Sequence, residues 1–145
     1  MKNVILSLTI LCSISLFAQK TKKSSIPASV KEAFAKEFPS VKAKWGMEDG
    51  GYEAEFKLNG VDASAVYDQV GHRKELEVDM NIKDLQASVL EYVKKNYPTS
   101  TIKEAAKITD DKKVITYEAE IKKDGKSYDL LFDSNGKFIK IVDGD

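Results

Sequence analysis

Apolar residues recur along this chain with two different periods, and the switch from one to the other happens twice. In "PASVKEAFAKEFP", Pro27 to Pro39, Val30, Phe34 and Phe38 stand four apart while Lys31, Glu32, Lys36 and Glu37 fill other positions. That spacing predicts one apolar face of a helix. Pro27 suits a first helical position, and Pro39 ends the helix because the residue before a proline is pushed out of helical geometry. Beyond Pro39 the period shortens to two. Val41, Ala43, Trp45 and Met47 share one side, and after Gly50 and Gly51 so do Tyr52, Ala54, Phe56 and Leu58. Such alternation predicts strands with one buried face, joined by glycine turns.

The second pass repeats the first. "QASVLEYVKKNYP", Gln86 to Pro98, aligns with the first helix, with Leu85, Val89 and Val93 as its stripe, Tyr92 and Tyr97 at the edge, and Asp84 as the expected N-cap. "YEAEFKLNG" at Tyr52 to Gly60 returns as "YEAEIKKDG" at Tyr117 to Gly125. The second copy is longer between helix and tyrosine strand, and the extra residues are expected in a hairpin turn around Thr109 to Lys113, where added loop length costs little. "DQVG" at Asp68 and "DSNG" at Asp133 each turn into a last strand. One helix with four short strands buries too little surface to be stable alone, and two such units side by side remove that difficulty. The expected fold is α+β: a tandem duplication, residues 26–80 and 81–145, forming one curved antiparallel sheet of about eight strands with the helices on one face.

The N-terminal stretch reads differently. Lys2, an apolar run from Val4 to Phe17 and a small residue at Ala18 have the layout of a signal peptide over residues 1–18, followed by a polar linker over 19–25. The run is too short and too interrupted by Ser and Thr for a spanning helix, so no membrane contact is expected after cleavage. Cys12 lies inside it and follows Leu11, where a lipoprotein signal needs a small residue. Cleavage therefore leaves a chain with no cysteine, excluding disulfides, thiol catalysis and thiolate metal sites.

Charge and chemistry narrow the reading further. Lys plus Arg and Asp plus Glu both number 23, so the net charge of zero gives no reason to expect nucleic acid as a partner. His72 is the sole histidine and falls at a turn, which removes multi-histidine metal sites. The Asp, Asn and Gly residues of the turns lack the ligand order of a calcium loop and are explained as turn formers. No catalytic group, metal or cofactor is assigned. Trp45 is expected in the core.

Helix, "FP", a tryptophan strand, "YEAEF", an "NG" or "DG" turn and an apolar strand ending in Asp, in that order, resemble the secreted PepSY-like proteins of Bacteroidetes-type bacteria, which are similar in fold to the beta-lactamase inhibitor protein. The resemblance runs from about Ile26 to Val142. It implies export to the periplasm or cell exterior and a binding or inhibitory role. Unlike that inhibitor, the mature chain would have no disulfide.

Alternation also assigns the face opposite the helices. Glu53, Glu55 and Lys57, with Glu118, Glu120 and Lys122, are expected to project outward as a candidate binding face, together with Asp62, Ser64, Val66, Asp129 and Leu131. This reads as a mixed-charge surface nearly free of the aromatic anchors of tight interfaces. The leading function is a secreted, non-enzymatic binding module for an envelope protein or peptide, with inhibition of a periplasmic hydrolase as its sharpest form. The alternative is a small-molecule or metal-ion binding envelope protein. A third class, hydrolysis by the paired carboxylates Glu53 and Glu55, lacks an implied cleft.

Overall fold

The computed structural model describes residues 26–48 and 50–144; the expected signal peptide and linker lie outside the described residues. Helix α1 (Ala28–Glu37) is followed by β1 (Lys44–Glu48), β2 (Gly51–Leu58), β3 (Val61–Tyr67) and β4 (Arg73–Asp79). Helix α2 (Ala87–Asn96) is followed by β5 (Ile102–Asp110), β6 (Ile115–Lys123), β7 (Lys126–Asp133) and β8 (Phe138–Asp143). The eight strands pair in sequence order into one antiparallel sheet. The halves join through β4 and β5, with Glu75 opposite Asp110 and Asp79 opposite Ala106.

Both helices stop where the prolines require. Phe38 and Tyr97 are the C-caps, and each N–H reaches back to the carbonyl four residues earlier at 2.8 Å. The starts differ from expectation. Pro27 is the N-cap of α1, not its first helical residue, because its ψ of 148° is extended. Asp84 does not cap α2. It belongs to a 3-10 turn, Ile82–Asp84, capped by Asn81, whose side-chain oxygen accepts from the Lys83 N–H at 3.2 Å. Leu85 is then extended, which places its side chain in the core, and Gln86 becomes the cap of α2.

The extra length of the second half also falls elsewhere than expected. β5 has nine residues where β1 has five, so most of the insertion lengthens a strand and only part widens the turn. The physical reason is position: β1 is an edge strand, whereas β5 pairs with both β4 and β6 and needs length to do so.

The core lies between helices and sheet in two clusters. Val30, Phe34 and Phe38 of α1 pack on Ala54, Phe56, Ala63, Ala65 and Tyr67. Val89 and Val93 of α2, with Leu85, pack on Ala105, Ala119, Ile121, Leu130 and Phe132. The strands supply alanines, and the larger helix residues Phe34, Phe38, Val89 and Val93 fill the space between the layers. Trp45 joins the first cluster edge-on to Phe34, with ring centroids 5.4 Å apart. Met47, expected to share that face, is 38% exposed because it sits at the end of the edge strand, opposite Tyr52 near the turn.

Three hairpins at one end of the sheet share one construction. Asp68, Asp110 and Asp133 each accept from the N–H groups two and four residues on, through one side-chain oxygen at 2.8–3.1 Å. The residue three positions after each aspartate, Gly71, Lys113 or Gly136, has positive φ. These bonds account for the acidic turns without any ion. Gly71 is doubly required, since a Cβ there would lie 2.6 Å from the Ser29 carbonyl oxygen at the start of α1. Helix and hairpin are thereby locked, and the Ser29 hydroxyl donates to the Gln69 carbonyl at 3.0 Å.

Candidate functional site

The strand register puts one row of side chains from every strand on the face away from the helices. Across it, Lys44, Glu55, Ser64, Glu77, Ile108 and Thr116 stand opposite one another in turn. A parallel row carries Gly46, Glu53, Val66, Glu75 and Asp110. Nearer the other end run Asp79, Ala106, Glu118, Leu131 and Lys140, and then Glu104, Glu120 and Asp129. The six residues singled out in the sequence therefore share a face but not a position. Glu53, Glu55, Glu118 and Glu120 lie within it, on either side of the β4–β5 junction. Lys57 and Lys122 stand exposed at strand ends, and Lys57 is paired with Asp62.

The mixed-charge surface expected from the sequence is not what the register builds. β4 contributes Glu75, Glu77 and Asp79, and β5 contributes Glu104, while Lys44, Lys57, Lys122 and Lys140 stand toward the rim. The centre of the face is acidic. The signal for it was present, since "ELEVD" alternates acid and apolar residues with period two. What the sequence does not display is that β4 stands in mid-sheet, where its acids meet those of β2 and β6.

The central carboxyls are half-buried and opposed by neutral neighbours. Glu77 stands opposite Ser64 and Ile108, and Glu118 opposite Ala106 and Leu131. Ala106 forms a closed floor there, only 2% exposed. Burial, followed by the charges of Glu75 and Asp79, pushes the Glu77 carboxyl up to about 7. Burial, followed by Glu77 and Asp129, pushes Glu118 up to about 8. Asp79 is also raised, by burial and then by Asp62 and Glu104. Near neutral pH the face thus holds protonated and ionised carboxyls side by side, able to donate hydrogen bonds and to attract cations.

Over the first half and the start of β5 this face deepens into a groove of about 710 Å³. Glu48, Glu53, Glu55, Asp62, Glu77, Asp79 and Glu104 supply its acidic lining, Lys103 adds one basic side chain, and Met80 and Ile82, from the link into α2, form an apolar wall. Glu118 and Glu120 lie beyond it. The groove wall was not legible in the sequence, because it comes from the 3-10 turn that replaced the expected helix cap. Among the described residues no group of three or more His, Cys, Asp or Glu side chains is arranged to hold a metal ion. His72 is exposed at the β3–β4 hairpin, away from this face's centre.

A family model described as "Putative beta-lactamase-inhibitor-like, PepSY-like" matches residues 49–140, more than half of the chain. The chain belongs to this PepSY-like family. Solved structures share the fold. A DUF2874 family protein from Bacteroides uniformis is 20% identical, with 81% of this chain and 88% of that chain covered and a TM-score of 0.70. A Bacteroides eggerthii protein described among "putative periplasmic proteins" is 17% identical, with 81% and 88% covered and a TM-score of 0.71. A BLIP-like protein from Bacteroides fragilis is 20% identical, with 82% and 89% covered and a TM-score of 0.63. No curated protein matches. At these identities the structural likeness concerns the fold, and the PepSY-like sheet with two helices on one face is its content.

Proposed function

We propose that the protein is an exported, non-enzymatic binding module that presents its open sheet face to an envelope protein or peptide. The observation that carries this reading is the sheet itself: both helix-side cores pack on one face, while the other bears a groove and half-buried acids whose charges oppose one another. A fold gains nothing from such a centre, since like charges in a partly dry setting cost stability. The PepSY-like family and the BLIP-like neighbour support a binding role, and inhibition of an envelope hydrolase is its sharpest form. Export is supported by the signal-like N-terminus and by the neighbour described as periplasmic. Among the described residues no helix is long and apolar enough to cross a membrane. Reading the chain as a duplicated unit is supported by the shared order of one helix and four strands in each half.

Crosslinking in the native envelope, followed by affinity capture, tests the reading. Lysine substitutions at Glu53, Glu55, Glu118 and Glu120 are expected to abolish the captured partner while the fold persists. Capture unchanged by those substitutions, or no partner with the unaltered chain, would sink it. The groove also favours a second reading, since its volume suits a small ligand. Thermal shift with envelope metabolites, calcium and zinc separates the two, because a bound ligand raises apparent stability.

A further inference from the structure

The uncovered face is patterned in a way that specifies its occupant's chemistry. Acids lie at the centre, while Lys44, Lys57, Lys122 and Lys140 lie toward the rim. Along the groove, Glu53, Glu77 and Asp79 share the lining with the apolar Met80 and Ile82, and Lys103 is a single basic side chain among the acids. Two features on one wall line suit one kind of side chain: a long aliphatic stem ending in a positive head, as in lysine and arginine. The stem would lie along Met80 and Ile82, and the head among the carboxylates. A bare divalent cation would use the acids and leave the apolar wall idle, and the described acids are not grouped to hold one.

Resting on the open-face reading above, we propose that this face docks a cationic polypeptide segment, with lysine or arginine side chains entering the groove between the β4 acids and the Met80–Ile82 wall. Lys122 and Lys140, at the rim beyond the groove, would set the register by repelling basic residues that overrun the centre, whereas Lys44 and Lys57 are already paired with Glu55 and Asp62. Docking is linked to protons. Glu77 and Glu118 are faced by Glu53 from β2, Glu75 and Asp79 from β4, Glu120 from β6, Asp129 from β7 and the distant Lys140 from β8, with neutral Ser64 and Ile108 beside Glu77; Asp62 of β3 and Glu104 and Lys103 of β5 line the same groove as Glu77. An arriving cation favours the ionised carboxyls, so binding releases protons and strengthens as pH rises from 6 to 9.

Calorimetric titration of the purified chain with an oligo-lysine peptide, and with an oligo-glutamate control, tests this. The expected result is binding of oligo-lysine alone, at least tenfold tighter at pH 9 than at pH 6, weakened by added salt. Glu77→Gln with Glu118→Gln is expected to flatten the pH dependence, and Met80→Ser with Ile82→Ser to weaken binding without flattening it. Binding of neither peptide, or equal binding of both, overturns the proposal. So does oligo-lysine binding that is indifferent to pH and to these substitutions. If the envelope partner is lost on charge reversal while oligo-lysine does not bind, the face reading stands and the cationic chemistry fails. If the partner survives reversal, the face reading itself fails.

Discussion

The two halves solve the same packing problem with different chemistry. In the first, Tyr67 donates its hydroxyl to Glu37 Oε2 at 3.2 Å, and Arg73 Nε donates to Glu37 Oε1 at 2.9 Å, with the small Ala33 of α1 packed against the same core. Burial, with Glu37 next, pushes the Tyr67 hydroxyl well above the usual phenol range. In the second half the matching positions hold Phe132, Asn96, Phe138 and Tyr92. Tyr92 stacks on Phe138 at 4.6 Å, and both rings meet Phe132 edge-on. The opposition of Tyr67 to Arg73 recurs as Phe132 opposite Phe138, each beside a register shift. One seat is closed by a salt bridge and a phenol, the other by three rings. The repeated fold fixes the seat and leaves its chemistry free, because either solution fills the volume, although the polar one leaves Arg73 Nη1 buried without a partner.

The ring solution should be the more brittle one. Phe132 is fully buried, so Phe132→Ala is expected to cost about 3 to 5 kcal/mol by cavity formation, read by chemical denaturation. The polar seat should yield less. Glu37→Ala removes the carboxylate from Tyr67 and Arg73, and Arg73 Nη1 is already buried without a partner. The cost expected is about 1 to 2 kcal/mol, reduced by the partial exposure of the pair. A Glu37→Ala loss as large as that of Phe132→Ala would break the comparison.

The halves also meet at a place where neither seat matters, the acidic junction of β4 with β5 and β6. Glu77 and Glu118 keep their protons to about 7 and 8, whereas in the unfolded chain they release them near the ordinary carboxylate value. The native state therefore binds more protons between those limits, so stability contributed here is full below the unfolded value and is lost as pH rises through 7 and 8. Glu77→Gln with Glu118→Gln is expected to raise stability at pH 9 by about 1 to 2 kcal/mol and to change little at pH 4, measured by thermal unfolding at both. The smallest effect belongs to the hairpins. Gly71 and Gly136 occupy a positive-φ seat that Lys113 holds at φ 68° in the third turn, so Lys113→Gly is expected to stabilise by up to about 1 kcal/mol.

Much of this was legible in local patterns. The stripes of Val30, Phe34 and Phe38, and of Val89 and Val93, are buried as their spacing predicts, and Leu85 is buried too but from the extended residue ahead of α2. The alternation at Tyr52 to Leu58 and Tyr117 to Lys123 separates core from open face, so Glu53, Glu55, Glu118 and Glu120 were assignable. What was not legible depends on contacts distant in sequence. β4 meets β5 across the whole of α2, and only that pairing gathers Glu75, Glu77 and Asp79 with the acids of the neighbouring strands. The apolar wall arises from Met80 to Ile82, where a short 3-10 turn wins over the helix cap expected of Asp84.

The central carboxyls of the open face are held together against their own charge, and the proposed occupant is a cation. Carbon-detected NMR of the Glu77 and Glu118 carboxyls across pH 4 to 10, alone and with oligo-lysine, measures this directly. The predicted result is midpoints near 7 and 8 in the free protein, both moving down when the peptide binds. Ordinary carboxylate midpoints in the free protein, or raised midpoints that the bound peptide leaves unmoved, would contradict it.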